Sequence, residues 1–211
     1  TNGGSVTLPG ANELNDLSDA YRYANDIGIG PNVFSSVTFS GGYTSSGGYN
    51  IGIGTNSLKS LTTAHTNTMV GYVAGQNLTS GSGNTAVGSF SQGDLKTGWW
   101  NVSLGRGALG SNETGGSNTS VGSYSLSNSK GSANVAVGAN ALNTNINGSQ
   151  NTVLGKSADV TSSNLNNATA VGYNAKVAAS NSIQLGNSNV TLINTAGKYS
   201  GKGLSVTDNS T

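Results

Sequence analysis

A five-residue pattern of polar and hydrophobic positions recurs along most of the chain. It consists of an Asn, a β-branched residue, a variable residue, an aliphatic residue and a Gly, as in Asn84-Thr85-Ala86-Val87-Gly88. The closing glycines lie at positions 54, 71, 88, 105, 122, 138, 155, 172 and 186, so the successive steps are 17, 17, 17, 17, 16, 17, 17 and 14 residues. A short period sustained over so much of a chain predicts a stacked repeat architecture.

Each repeat is predicted to contain a short strand. The position before the Gly is always aliphatic and the position two residues earlier is always β-branched, whereas the residue between them is mostly small. Alternation with a period of two is typical of a strand with one packed face, so we expect the aliphatic and β-branched columns to face the core. The most regular repeat positions are Asn67, Val70, Gly71, Asn84, Val87, Gly88, Asn101, Leu104, Gly105, Asn118, Val121, Gly122, Asn134, Val137, Gly138, Asn151, Leu154 and Gly155.

The remainder of each repeat is predicted to be a second strand and two turns. A small residue stands three positions after the Gly and is often followed by Leu, as in Ala108-Leu109 and Ala141-Leu142. We therefore expect coils of two short strands that face each other across a core of small side chains, stacked about 4.8 Å apart. The Asn column is predicted to form a structural ladder of amides at one corner of the stack.

The chain divides into three predicted parts. Residues 1–49 form an irregular N-terminal lead-in with a first atypical coil, residues 50–190 form the β-roll repeat array, and residues 191–211 form a neck or exit segment. The run from 189 to 193 is predicted to continue as a strand into that neck.

Within the lead-in, Asp26-Ile27-Gly28-Ile29-Gly30 anticipates the repeat and is interpreted as the first coil. The charged segment 14–24 is predicted to be either a turn or two of helix or an extended, chain-crossing segment. The following residues 35–48 are predicted to form a hairpin-like excursion.

Composition narrows the functional classes. Only 8% of residues are charged, the net charge is +1, Pro numbers 2 and Cys is absent. Low net charge and little Pro argue against disorder, and the lack of a basic stripe argues against nucleic-acid binding. Without Cys there are no disulfides, thiolate catalysis or Cys metal sites.

No apolar run approaches the ~20 residues of a membrane span, and the start at Thr1 without Met or signal peptide suggests a mature segment or a piece of a longer chain.

A single coil is expected to bury too little apolar surface to be stable alone. It would bury about one aliphatic, one β-branched and one small side chain, which gain ~25 cal/mol for each Å² of apolar surface buried. The loss of conformational entropy costs ~1.5 kcal/mol for every residue that the coil orders. We therefore expect several chains to pack side by side along a common axis.

The residues capable of catalysis are few and scattered. His65 is the only histidine and is predicted to lie in an exposed turn, while Asp94, Glu113 and Asp159 are expected in turns or surface columns. Neither a nucleophilic triad, a metal site nor a facing carboxylate pair follows from these positions. The sequence predicts a protein that is not an enzyme, with no catalytic or metal-binding residues and no cofactor.

Aromatic residues are the better candidates for contact with a ligand. Trp99 and Trp100 stand side by side in the turn before Asn101, where other repeats carry small polar residues. Exposed indoles can stack on sugars or form the centre of a protein interface, or they can cover the edge of a neighbouring chain. Tyr72 and Tyr124, just after their glycines, are the further ligand-binding candidates, with packing between coils or chains as the alternative.

Several motifs resemble a known family. Asn84–Gly88, Asn134–Gly138 and Asn181-Ser182-Ile183-Gln184-Leu185-Gly186 resemble the head repeats of YadA-like trimeric autotransporter adhesins. The longer spacing, with pairs such as Ala108-Leu109, is similar to repeat arrays of phage and bacterial tail-fibre proteins, and Glu13–Ala20 resembles their lead-in.

The resemblance implies an all-β fold, a left-handed parallel β-roll (solenoid) of about 17-residue coils assembled as an intertwined homotrimer. Adhesin head repeats are nearer 14 residues, which only the last step matches, so the choice between virion fibre and anchored adhesin stays open.

The leading functional hypothesis is a structural segment of a trimeric extracellular fibre, on a virion or a bacterial surface, that mediates or supports attachment to a cell. Its expected partners are two further copies of itself, a surface glycan or protein receptor, and fibre modules at both ends, without nucleic acid or membrane insertion. The alternatives are a cell-anchored adhesin head, an ice- or mineral-binding solenoid that uses its Thr column, and a glycan-degrading β-helix. Val102 and Val135 interrupt that Thr column, and its phase predicts an interior position.

Overall fold

The chain forms a parallel β-solenoid. The computed structural model describes residues 20–23, 25–36 and 48–192, and across these residues it contains strands and turns without a helix. The solenoid has about eight turns, with coils of about 17 residues. The strands are β1 Ala20–Tyr23, β2 Asp26–Ile29, β3 Ile51–Ile53, β4 Thr68–Val70, β5 Thr85–Val87, β6 Val102–Leu104, β7 Thr119–Val121, β8 Val135–Val137, β9 Thr152–Leu154, β10 Asp159–Val160, β11 Thr169–Val171, β12 Lys176–Val177 and β13 Ile183–Leu185.

One long sheet runs the length of the stack. Eleven strands lie side by side in the order β1 to β9, then β11 and β13. β1 is antiparallel to β2, and every later neighbour is parallel and in register, so that Thr85 pairs with Val102 and Val87 with Leu104. β2 also pairs with β3, which confirms that the irregular Asp26 segment is a first coil.

The sheet faces the core with the opposite side from the one predicted. The middle residue of each three-residue strand from β3 to β11 is buried, as in Ala86 and Ser103, whereas Val87 and Leu104 are 39% and 50% exposed. The prediction that the aliphatic and β-branched columns pack inside is therefore wrong. The reason is steric: the interior of a coil is narrow, so the column of mostly small residues fits inside and the columns of larger side chains point outward.

The opposite wall supplies the larger buried side chains. It buries the predicted small residues three positions after each Gly and the Leu residues that follow them, such as Leu109 and Leu126. The buried apolar residues form two clusters, one through Leu95 and one from Leu109 onward. Near their boundary lies a buried polar group in which Gln92 Nε2 donates to Ser103 Oγ at 2.9 Å.

This wall is made of turns rather than the predicted second strand. Only β10 and β12 are extended there, and they pair with each other. Elsewhere the second and fourth residues after the Gly have positive φ, 60° at Phe90 and 49° at Gln92, which an extended strand does not allow. Backbone bonds still join the coils, because Gln92 N–H donates to the Ala108 carbonyl at 3.0 Å.

The Asn column forms a continuous ladder of buried amides, as predicted. The backbone N–H and Nδ2 of Asn101 donate to Asn84 Oδ1 at 2.9 and 3.1 Å, and Asn101 Oδ1 accepts the same pair of bonds from Asn118. Asn101 Nδ2 also donates to the carbonyl of Gly115 at 2.9 Å. Each amide therefore fixes the position of the coil on either side of it.

Different residues occupy the two ends of this ladder. Asp26 takes the Asn position in the first coil and accepts from both the N–H and Nδ2 of Asn50. At the far end, Asn151 Oδ1 accepts from the backbone of Ala168 at 2.9 Å. Each end residue has a ladder neighbour on one side only, so it needs either an acceptor or a donor, but not both. The Asp26 carboxylate is the acceptor at one end, and the backbone N–H of Ala168 is the donor at the other.

The closing glycines allow the coils to stack in backbone contact. Gly105 has a φ of +137°, and a Cβ there would lie 2.6 Å from the carbonyl carbon of Gly122 in the next coil. A side chain would therefore strain the backbone and separate the coils.

The chain ends match their predictions only in part. Residues 20–23 are the strand β1, which agrees with the extended alternative for this segment. Three other parts lie outside the described residues: the preceding residues 14–19, most of the predicted hairpin (37–47), and the exit segment from 193 to 211. The predicted strand at 189–193 is wrong as far as it is described, because 188–189 form a turn and 190–192 have no strand. A short hydrophobic run alone does not make a strand when no neighbour pairs with it.

Replacing Asn101 with Ala is expected to lower the free energy of unfolding by about 3 kcal/mol, because the buried N–H groups of Asn118 lose their acceptor. Denaturant unfolding followed by circular dichroism measures this loss. The matched control is Asn147→Ala, since the Asn147 side chain is exposed and donates only to Asn164, and it should change stability by less than about 0.5 kcal/mol. Equal losses in the two variants would show that the ladder has no special structural role.

Candidate functional site

The four predicted ligand-contact residues lie at two different corners of the coils. Tyr72 and Tyr124 follow the closing glycines of their strands, whereas Trp99 and Trp100 precede β6. Tyr72 and Tyr124 line a common groove, and the Trp pair lies outside it. The structure therefore divides the candidates into two separate surface features.

The Trp pair is stacked and exposed. The ring centroids are 5.0 Å apart with an angle of 28° between the planes, and the residues are 57% and 64% exposed. Trp100 lies against Gly83 of the preceding coil and Trp99 against Gly116 of the following coil. The two indoles thus span three coils and present a broad apolar surface to solvent.

An open groove of about 560 Å³ crosses four coils on the turn wall. At one end Tyr72 and Phe90 meet edge to face, with centroids 5.3 Å apart. At the other end Arg106 Cζ lies 5.4 Å from the centre of the Tyr124 ring, an arrangement suited to a cation–π contact. The lining residues are Tyr72, Val73, Gln76, Asn77, Phe90, Gly93, Asp94, Gly107, Gly110, Ser111, Tyr124, Ser127 and Asn128.

Charged groups are sparse, and two ion pairs join the described residues. Lys96 Nζ lies 2.9 Å from Glu113 Oε2 on the surface. The hydrogen bond from Lys96, together with its charge, lowers the pKa of Glu113, and the same bond raises the pKa of Lys96. Asp94 Oδ1 accepts from Asn77 Nδ2 at 3.2 Å at the groove rim.

Asp159 is buried in β10, which corrects its expected place in a turn or surface column. Its carboxylate accepts from the N–H and Oγ1 of Thr144 and from the N–H of Val160, and it lies 3.6 Å from Lys176 Nζ. These partners satisfy the carboxylate oxygens, which makes the buried position tolerable.

The other candidate positions for chemistry do not converge. His65 is exposed in the loop before β4, and its Nδ1 lies 3.3 Å from Thr66 Oγ1. Within the described ranges, no group of three or more His, Asp or Glu side chains is placed to hold a metal ion. The same part of the chain has no helix of the length and hydrophobicity needed to cross a membrane.

The outward face of the long sheet is a second exposed feature. Its two columns contain only Ile, Val, Leu and Thr from β3 to β13. Exposed members include Val87, Leu104, Leu154 and Leu185 before the glycines, and Thr85 and Val102 two residues earlier. An apolar stripe of this length is unusual for a surface that remains in water.

Sequence reasoning missed how the groove is made. Gly93 and Gly110 occupy a column that holds Gln76 in the coil before and Ser127 in the coil after. The two missing side chains leave the space beside Phe90 open. Two adjacent glycines in an otherwise polar column were the available signal.

Comparisons with protein-family models, with curated proteins and with solved structures find no match to this chain. The parallel β-solenoid is established by its strand register, and three surface features remain for assigning a role: the outward sheet face, the Trp pair and the groove.

Replacing Trp99 with Ser and Trp100 with Gly, as in the preceding coil, is expected to change the free energy of unfolding by less than about 1 kcal/mol. Both rings are mostly exposed, and Trp100 has a φ of 57° that Gly adopts without strain. Thermal unfolding followed by circular dichroism tests this. Leu109→Ala, at a fully buried position, is the contrasting variant and should lose about 3 kcal/mol. A comparable loss in the Trp variant would assign the pair to the fold rather than to contact.

Proposed function

We propose that this chain is a structural segment of a homotrimeric extracellular fibre, on a virion or a bacterial surface, that mediates or supports attachment to a cell. The outward sheet face is the observation that carries this proposal. Its columns hold aliphatic and Thr side chains without a charge from β3 to β13. Leu104 and Leu154 are about half exposed in the single chain, so a partner would bury them.

A second copy of the same chain is the partner that fits this face best. The side chains repeat once per coil, and the strands are in register over ten successive parallel strands from β2 to β13. A binding partner must present apolar groups with the same spacing, and another copy does so by construction. Closure around three copies and left-handed coiling are taken from the resemblance to YadA-like heads and tail-fibre arrays.

Association would also supply the burial that one coil lacks. The interior holds one small strand residue and the buried residues of the turn wall, as in the coil with Ala86, Ser91 and Leu95. Burying the outward Val and Leu residues between chains adds about 1.5–3 kcal/mol for each side chain that becomes fully covered. A long rod of this kind suits a spacer that holds other fibre modules away from a surface.

Ice binding is a second candidate, because one observation now favours it. Thr68, Thr85, Thr119, Thr152 and Thr169 lie on the outward side of the sheet, so the expectation that their phase places them inside is wrong. Val102 and Val135 still interrupt the column, and the neighbouring aliphatic column is bulky. We therefore retain the fibre as the leading proposal.

The wild-type chain is expected to sediment at three times its 20.9 kDa mass, and Leu104→Asp is expected to shift it towards the monomer. The charge would be exposed in one chain but buried and unpaired between chains. The matched control is Ile146→Asp, which changes a 42% exposed apolar residue on the turn wall and should leave the trimer intact. A wild-type monomer that is folded by circular dichroism would remove the proposed assembly.

Labelled wild-type chain is expected to attach to intact bacterial cells, measured by flow cytometry, and to show no thermal hysteresis in ice-growth measurements. Heat-unfolded chain is the control for nonspecific adhesion. Thermal hysteresis that disappears in Thr85→Leu and Thr119→Leu variants would instead support the ice-binding role of the outward face.

A further inference from the structure

The groove on the turn wall departs from the rest of the solenoid at one column. The second residue after each closing Gly from Gly54 to Gly172 has positive φ, and most of these coils place Asn, Ser or Gly there. Three coils at the groove carry Val73, Phe90 and Tyr124 instead, with φ of 63°, 60° and 54°. Asn and Gly tolerate this conformation, whereas β-branched and aromatic residues are strained in it.

Burial does not compensate for this strain. Phe90 and Tyr124 are 44% and 40% exposed, so each ring keeps a large part of its surface in water. Asn56 and Asn140 fill the same column in nearby coils without strain of this kind. Strained residues that the fold does not need are characteristic of binding sites.

The floor of the groove is backbone. Gly93 and Gly110 are adjacent in the stack, and neither has positive φ, so the backbone there does not require glycine. A Cβ at Gly93 would come no closer than 3.4 Å to any neighbour, which is an ordinary contact. Gly93 therefore keeps the groove open rather than serving the turn, whereas a Cβ at Gly110 would lie 3.1 Å from the Gly107 carbonyl oxygen.

The rim combines hydrogen-bonding groups with very little charge. Gln76 and Ser111 make no side-chain hydrogen bond to any described residue, and the Asp94 carboxylate uses only Oδ1, towards Asn77. Arg106 lies over the Tyr124 ring, and Lys96 is the cation whose charge interacts with Asp94. Amide, hydroxyl and carboxylate groups beside aromatic rings match a ligand with alternating hydroxyl groups and apolar C–H faces.

We propose that this groove binds an uncharged saccharide, with a pyranose ring against Phe90 or Tyr124 and its hydroxyl groups bonded to Gln76, Asp94 and Ser111. The volume of about 560 Å³ lies within the range of small-molecule sites. This inference rests on the proposed function, because it names the class of receptor to which the fibre would attach. All lining residues belong to a single copy of the chain.

The test is capture of the wild-type chain on an array of immobilised neutral and acidic oligosaccharides, followed by NMR titration with each soluble oligosaccharide captured. Phe90→Asn and Tyr124→Asn should weaken binding at least about tenfold, because each removes a stacking ring. Both should keep or raise the unfolding temperature, since Asn suits the positive φ of this column.

Gly93→Gln is the independent variant. It places in the groove the side chain that Gln76 has one coil earlier, at a position with room for a Cβ, and it should also weaken binding at least about tenfold. Gly93→Ala tests the backbone effect alone and should bind within about twofold. Tyr173→Asn, an exposed aromatic outside the groove, and the Trp99→Ser/Trp100→Gly variant should bind like the wild type.

Several results would overturn the proposal: capture of no oligosaccharide, capture only of polyanionic glycans, or loss of binding in the Trp variant with retention in the groove variants. A change of oligomeric state in Phe90→Asn or Gly93→Gln would also overturn it, because a second copy would then cover the groove. A monomeric wild type that still binds through the groove would refute the trimeric fibre alone.

Discussion

The narrow interior of each coil is the constraint on which the rest of the structure depends. Successive coils stack in backbone contact at the closing glycines, as at Gly105 and Gly122, and the Asn ladder fixes each coil to its neighbours. Little space remains between the sheet and the turn wall. Small strand residues such as Ala86 and Ser103 therefore lie inside, and the bulkier aliphatic residues are directed outward.

This arrangement places the chain's most regular apolar surface on its outside. A globular domain would hide such residues in its core, but here Leu104 and Leu154 remain half exposed along a regular sheet. The proposed association of copies follows from that geometry, because apolar side chains that the interior cannot bury would be buried between chains, and that burial would stabilise the assembly. Stacking and association would then depend on different columns of the same repeat.

Departures from the repeat pattern are concentrated where they do not disturb the ladder. The groove, the Trp pair and the buried polar group of Gln92 and Ser103 all lie in the coils between positions 71 and 128. The Asn residues and closing glycines of those coils keep their positions and hydrogen bonds. Turn-wall residues can therefore change while the register of the sheet is preserved.

The sequence by itself determined the repeat, its register, the strand in each coil and the Asn ladder, because these depend on local pattern and identical spacing. It could not determine which face of a three-residue strand is buried. The alternation is the same whether the middle residue or its two neighbours face the core, and the choice depends on the width of the interior. It also could not show the turn wall, because Phe90 and Tyr124 interrupt the Asn, Ser and Gly of one positive-φ column and Leu mostly fills the other, which contains Gln92. Only the tertiary structure placed Tyr72, Phe90 and Tyr124 along one groove with Gly93 and Gly110 as its floor, since stacking brings together residues that lie about one coil apart in the chain.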